Sequence, residues 1–146
     1  MNARDLLELA DDLLTESREV SWRAAASHAY YGAFHVALDF LRTCGFHLPN
    51  NDRSHAGVAH RLANSGQVQI ESTGRKIEHL RRSRNIADYD LGIFFDHHTA
   101  ADLVQTSCDV IETLDDALTM PQLLTQITAA VQVYERDVLQ HVTFRP

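Results

Sequence analysis

The sequence predicts an all-α fold, an up-and-down bundle of five core helices with one more helix added at the carboxyl end. Three observations predict it. Apolar residues recur at three- and four-residue spacing along most of the chain, no segment reads as a strand, and the residues between periodic stretches are those that begin and end helices.

The first helix is expected over residues 3–18, where Leu6, Leu7, Leu9, Ala10, Leu13 and Leu14 share a face and Asn2 supplies a cap. Ser21 then caps a second helix running to about Thr43, ended by Gly45. One line on it holds Trp22, Ala26, Ala29, Ala33, Ala37 and Phe40, while Ala24, Tyr31 and Leu38 lie on the other side. A helix apolar on both sides belongs at the centre of a bundle, and its alanines let neighbours approach closely. The polar stretch HLPNNDRSHAG forms a loop, and a short helix over residues 55–64 closes at Asn64, Ser65 and Gly66. The fourth helix should run from about Thr73 to Ala87 with Ile77, Leu80 and Ala87 inward. Arg84 occupies the position that continues this inward line, and Asp88, four residues on, can meet it. A fifth helix is expected from His98 to Leu118, with Ala101, Val104, Cys108, Ile111, Leu114 and Leu118 inward. Pro121, at the favoured first position, opens a sixth helix carrying Leu124, Ile127, Val131, Tyr134 and Val138. That apolar line needs cover, either from its own bundle or from a dimer partner.

A length of 146 residues, 45% of them hydrophobic and 23% charged, fits one domain and leaves two independent cores too little to bury. Six glycines and two cysteines, Cys44 and Cys108, exclude a collagen-like repeat and a disulfide scaffold, and the apolar content excludes a disordered tail. Two isolated thiols point to a reducing cytoplasm. The opening MNARDLLELADDLL is acidic and amphipathic, unlike a signal or transit peptide, and no apolar run is long enough to span a bilayer. The net charge of −7 is unevenly placed: residues 1–20 sum to −4 and residues 96–146 to −6, whereas residues 21–95 sum to +3. Five of the central cations, Arg75, Lys76, Arg81, Arg82 and Arg84, lie within ten residues, so an acidic chain still offers a local anion site.

Two stretches are more specific than this periodicity: RAAASHAYYGAFHVALDFL over residues 23–41 and LRRSRNIADYD over residues 80–90. In this order, and separated by a polar loop containing HAG, they resemble the HEPN superfamily, the higher eukaryotes and prokaryotes nucleotide-binding domain. Ser27, Tyr30, Tyr31, Phe34 and His35 fill the first pattern; Arg84, Asn85, Ala87, Asp88, Tyr89 and Asp90 fill the second. The resemblance spans about residues 3–118. It implies a helical bundle that dimerises and places two copies of the arginine motif across a cleft. It also implies kinship with metal-independent ribonucleases, often toxins paired with a small nucleotidyltransferase antitoxin, and with members lacking demonstrated activity.

In the nuclease version an arginine is followed, after four to six residues, by a histidine. Here Asp88 stands at the histidine position, three residues beyond Arg84, five beyond Arg82 and six beyond Arg81, counting those between. Cleavage through a ribose 2′-hydroxyl needs a base near that hydroxyl and a cation near the phosphate. An ionised carboxylate accepts a proton but is a poor donor to the leaving oxygen, so the substitution weakens the nuclease reading. His35, on the face of His28 and Tyr31, is the candidate to approach Arg84 and Asp88 and share the proton work. Candidate anion or RNA contacts are Arg81, Arg82, Arg84, Asn85 and Tyr31. Plain packing is the competing account: Arg84 and Asp88 as a structural ion pair, Tyr30, Tyr31 and Phe34 as core aromatics, and the Arg81–Arg82 doublet as a solvated face. Tyr89 matches, one place out of register, a tyrosine that the partner transferase adenylates in some family toxins.

No cofactor or metal is expected. His55 and His60 are too far round a helix to share an ion, Asp96, His97 and His98 diverge at a helix start, and neither a Ser-His-Asp set nor a glycine-rich phosphate loop is evident. The resulting expectation is a cytoplasmic, homodimeric HEPN-type protein, with residues 1–118 as bundle and 119–146 as helical extension. Its expected role is a non-catalytic binding or partner module in a two-gene, toxin–antitoxin-like system with a nucleotidyltransferase. The alternative is a metal-independent endoribonuclease in which Arg84 stabilises the phosphate while Asp88, with His35, handles protons.

Overall fold

The computed structural model describes residues 1–146. Six α-helices build it: α1 (Arg4–Leu14), α2 (Glu19–Thr43), α3 (Ser54–Ala63), α4 (Val68–Tyr89), α5 (His97–Leu118) and α6 (Pro121–Tyr134). A π-helical turn over Glu135–Leu139 follows α6, and there is no sheet, only an isolated bridge between Phe46 and Phe144. No helix is long and apolar enough to cross a membrane.

The two-sided apolar pattern of α2 places it at the centre, where it packs against α1, α3, α4 and α5. Its alanines do what small residues allow: Ala25 and Ala29 meet Ala10 and Val104 where α1, α2 and α5 converge. On its other faces Tyr30, Phe34, Leu38, Phe40 and Leu41 are fully buried against Ile77 and Leu80 of α4 and Leu114 of α5. The helix ends as its sequence predicts. Gly45 takes φ +103°, the Gly45 N–H donates to the Arg42 carbonyl at 3.0 Å and the Phe46 N–H to the Leu41 carbonyl at 2.9 Å, a Schellman motif.

Three boundaries differ from expectation. The first helix stops at Leu14 rather than residue 18. α2 begins at Glu19, two residues before Ser21, whose hydroxyl is buried against the Glu16 carboxylate instead of capping. α4 begins at Val68 rather than Thr73 and carries Gly74 in its interior. That glycine is a packing device: a Cβ there would lie 2.4 Å from the Ala63 amide nitrogen and 2.7 Å from the Ala59 carbonyl oxygen, so only glycine lets α3 and α4 touch. On α5 the buried face is Ala100, Leu103, Val104, Ser107, Val110, Ile111, Leu114 and Ala117, whereas Ala101 and Cys108 are half-buried and Leu118 is exposed. The buried Ser107 masks the stripe in the sequence; its hydroxyl is satisfied by donating to the Ala29 carbonyl at 2.7 Å.

Arg23 fixes the end of α4. Buried beneath it, its Nη1 donates to the carbonyls of Ala87 (2.9 Å), Ile86 and Asp90 (each 3.2 Å), its Nη2 to the Ile93 carbonyl, and its Nε to Glu19 at 3.0 Å. Glu19 in turn accepts the Phe95 N–H at 3.1 Å. These bonds tie the last turn of α4 and the loop after it to α2, the Ala87 carbonyl being one that a helix terminus leaves without an intrahelical partner, and they set where the Arg84–Asp90 stretch lies.

The C-terminal segment folds back on its own bundle. Ile127 and Val131 of α6 are fully buried in the main core, while Val138, expected on the same line, is exposed because the π turn breaks the register. Glu135 is wholly buried and accepts the Arg61 Nε at 2.7 Å and the Thr143 N–H at 2.9 Å. Beyond it the tail runs back past the end of α2, with Phe144 packed on Phe46 at 5.3 Å between ring centroids. Cys44 and Cys108 are half-buried free thiols.

Candidate anion-binding site

The packing of α2, α3 and α4 gathers the two motif stretches into one place. Arg84 lies over both tyrosines of α2, with Cζ 5.3 Å from the Tyr30 ring centroid and 5.4 Å from that of Tyr31. Rings facing a guanidinium stabilise it through their quadrupole. Its side chain is only 11% exposed, and its nearest carboxylate oxygen, Asp88 Oδ2, is 3.6 Å from Nη1, too far for a hydrogen bond. The Arg84 Nε is buried and has no hydrogen-bond partner. A buried donor left unmatched costs about 1–3 kcal/mol, so this cation is held short of full satisfaction. Asp88 bridges back to α2 instead, accepting the Ser27 hydroxyl at 3.3 Å.

The first turn of α3 adds a residue that sequence reasoning did not place here. His55 stacks on Phe34, with ring centroids 4.3 Å apart and planes at 18°, and lies against Tyr30 and Tyr31. Its Nδ1 and the Tyr30 hydroxyl are hydrogen-bonded. Burial, then the positive charge of Arg84, holds the His55 imidazole below its usual range; Asp52 opposes this, and Arg81 and His35 add to it. His55 is therefore neutral at pH 7, with one ring nitrogen able to accept a proton. Burial pushes the Tyr30 phenol well above its ordinary value, against the pull of Arg84 and Arg81. The only sequence signal for His55 was its place in the HAG that separates the two motif stretches.

The other candidates divide. Tyr31 is in the site. Arg81 is bound through Nε (2.9 Å) and Nη2 (2.7 Å) to Glu78, and Arg82 Nε reaches the same carboxylate at 3.2 Å with 75% of its side chain exposed. The doublet is thus engaged within its own helix, and the Arg81 hydrogen bonds hold Glu78 below the usual carboxylate range. Asn85 is half-buried and makes no side-chain hydrogen bond. The His35 ring meets the edge of Phe34 at 5.3 Å, and no hydrogen bond or ion pair joins it to Arg84 or Asp88. It sits one turn beyond Tyr31 on α2. Tyr89 is 76% exposed. No three His, Cys, Asp or Glu side chains converge in a way that could hold a metal.

Comparison with protein-family models, with curated proteins and with solved structures gives no match to this chain. The chemistry of the site therefore rests on its own geometry: a buried cation with an unmatched donor, two aromatic faces, a neutral imidazole and a carboxylate at the rim.

Proposed function

We propose that this chain is a HEPN-type binding module whose Arg84 site recognises a phosphate of RNA. The reading also takes the protein to act in the cytoplasm as a homodimer and to partner a small nucleotidyltransferase, as the sequence resemblance implies. The observation that carries it is the buried Arg84 with its unpartnered Nε and its long approach to Asp88. An ion pair kept for architecture alone is expected to be satisfied, because an unmatched buried charge is costly. A guanidinium that lies over aromatic faces and keeps donor capacity suits an incoming phosphate.

The test is fluorescence anisotropy with a labelled single-stranded RNA oligonucleotide in buffer containing a chelator, with the same RNA run on a denaturing gel afterwards. Arg84→Met is expected to weaken binding at least tenfold, about 1.4 kcal/mol, and the RNA to remain intact. Unchanged affinity in Arg84→Met overturns the reading.

One observation favours a second reading, the metal-independent endoribonuclease. The Tyr30 hydroxyl orients the His55 ring through Nδ1, and in the tautomer with the proton on Nδ1 the Nε2 atom is the free base, oriented by a third group as in other base-assisted sites. Cleavage that is lost in both Arg84→Met and His55→Gln moves the assignment to this reading, with His55 rather than Asp88 and His35 as the proton acceptor.

A further inference from the structure

A second cavity, of about 610 Å³, opens between the loop after α2, the start of α3 and the C-terminal tail. Arg53, Arg61, Arg145, His47 and His141 contribute to its wall, and no Asp or Glu does. In a chain of net charge −7 this is a concentrated positive enclosure. The geometry points to a binding site here for a small polyanion bearing two or more phosphates, separate from the Arg84 site.

Three features support it. The cations come from three segments, each held by its backbone: the Arg53 N–H donates to Asn51 Oδ1 at 3.0 Å, the Arg145 N–H donates to the Gly45 carbonyl at 2.7 Å, and Arg61 stands on α3. Arg61 is 97% buried by its 3% exposed side chain; Nε is taken by Glu135 and Nη1 by the Gly57 carbonyl at 3.1 Å, while Nη2 has no hydrogen-bond partner in the protein. Gly57 leaves room for it, since a Cβ there would lie 3.0 Å from Nη1. Glu135 neutralises one of the three guanidinium charges, leaving two unbalanced around the cavity. The third feature is the ten-residue α3 itself, whose N-terminal Ser54 is in the wall, so its dipole adds to the attraction for an anion. Cations supplied by three separate segments around one cavity suit an anion with more than one charged centre better than a single phosphate, and the volume falls within the usual range of ligand pockets.

Isothermal titration of the full chain with inorganic pyrophosphate, and separately with inorganic phosphate, tests this. Pyrophosphate is expected to bind saturably, one per chain and at least tenfold tighter than phosphate. Arg53→Ala/Arg145→Ala, which removes two surface side chains, is expected to weaken pyrophosphate at least tenfold with unchanged circular dichroism, and Arg84→Met to leave it unaltered. Each single variant should show an intermediate loss. No saturable binding, equal affinity for the two anions, or a loss in Arg84→Met with none in the double variant would each overturn the assignment.

Discussion

Two arginines lie about one turn of α4 apart in their surroundings and behave in opposite ways. Arg23 and Arg84 are both largely buried and both lie over aromatic rings, Arg23 over Phe95 at 5.6 Å and Arg84 over Tyr30 and Tyr31. Arg23 spends its donors on four backbone carbonyls and Glu19. Arg84 has a buried Nε with no partner and a carboxylate held at 3.6 Å. Similar burial therefore conceals two roles: one guanidinium completes the backbone bonding of a helix end, and the other remains chemically open. Satisfaction, rather than burial or residue type, distinguishes the two guanidinium groups.

Four substitutions break or sharpen that contrast. Arg23→Ala removes a charged donor from several buried carbonyls at once and should lower stability by about 4 kcal/mol in urea denaturation; a loss below about 1 kcal/mol would put Arg23 in the same class as Arg84. Glu135→Gln extends the contrast to a third buried cation, Arg61, and should destabilise by about 2 kcal/mol at neutral pH. Burial raises the Glu135 carboxyl, but the Thr143 and Arg61 hydrogen bonds more than offset it and hold it below 4.5. Its stabilisation is thus present above that value and is lost as pH falls through the folded one, so the variant should show a flatter acid limb.

Arg84→Met should change stability by no more than about 1 kcal/mol, in either direction, because an apolar isostere removes an incompletely satisfied buried charge. A loss as large as that of Arg23→Ala would mark Arg84 as structural. His55→Gln has the smallest expected effect, a few tenths of a kcal/mol near neutrality, and is read best through pH. The folded imidazole lies below 6.5, so the unfolded chain binds the proton more readily as pH falls from that value. Stability should therefore decline as pH falls through 6.5 toward the lower folded value, and His55→Gln should reduce that decline in denaturation curves recorded across the range.

How legible each feature was follows from the distance over which it is decided. The Schellman end of α2 at Gly45, the Pro121 start of α6 and the inward line of Ile77, Leu80 and Ala87 depend on residues within a turn or two, and they stand where periodicity and capping put them. The Arg84 anomaly was legible for the same reason, since a charge on an inward line shows without any partner being known. α4 starts five residues before the expected Thr73, at Val68, and the value of its interior Gly74, locally a weak helix former, lies in what α3 does beside it. The buried face of α5 was partly misphased because Ser107 belongs to it only by virtue of a carbonyl on α2.

The site divides along the same boundary. Tyr31, Arg84 and Asp88 could be marked from helical spacing. His55 meets Tyr30 across 25 residues, Arg23 meets Ala87 across 64, and Arg61 meets Glu135 across 74. No local pattern records those meetings. The sequence by itself determined an all-α chain, a central helix apolar on two sides, and a cation where a core residue was due, because all three arise from the short-range geometry of a 3.6-residue repeat. Only the tertiary structure decided which buried cation is satisfied and which stays open, because a hydrogen bond between side chains tens of residues apart exists only after the helices have packed.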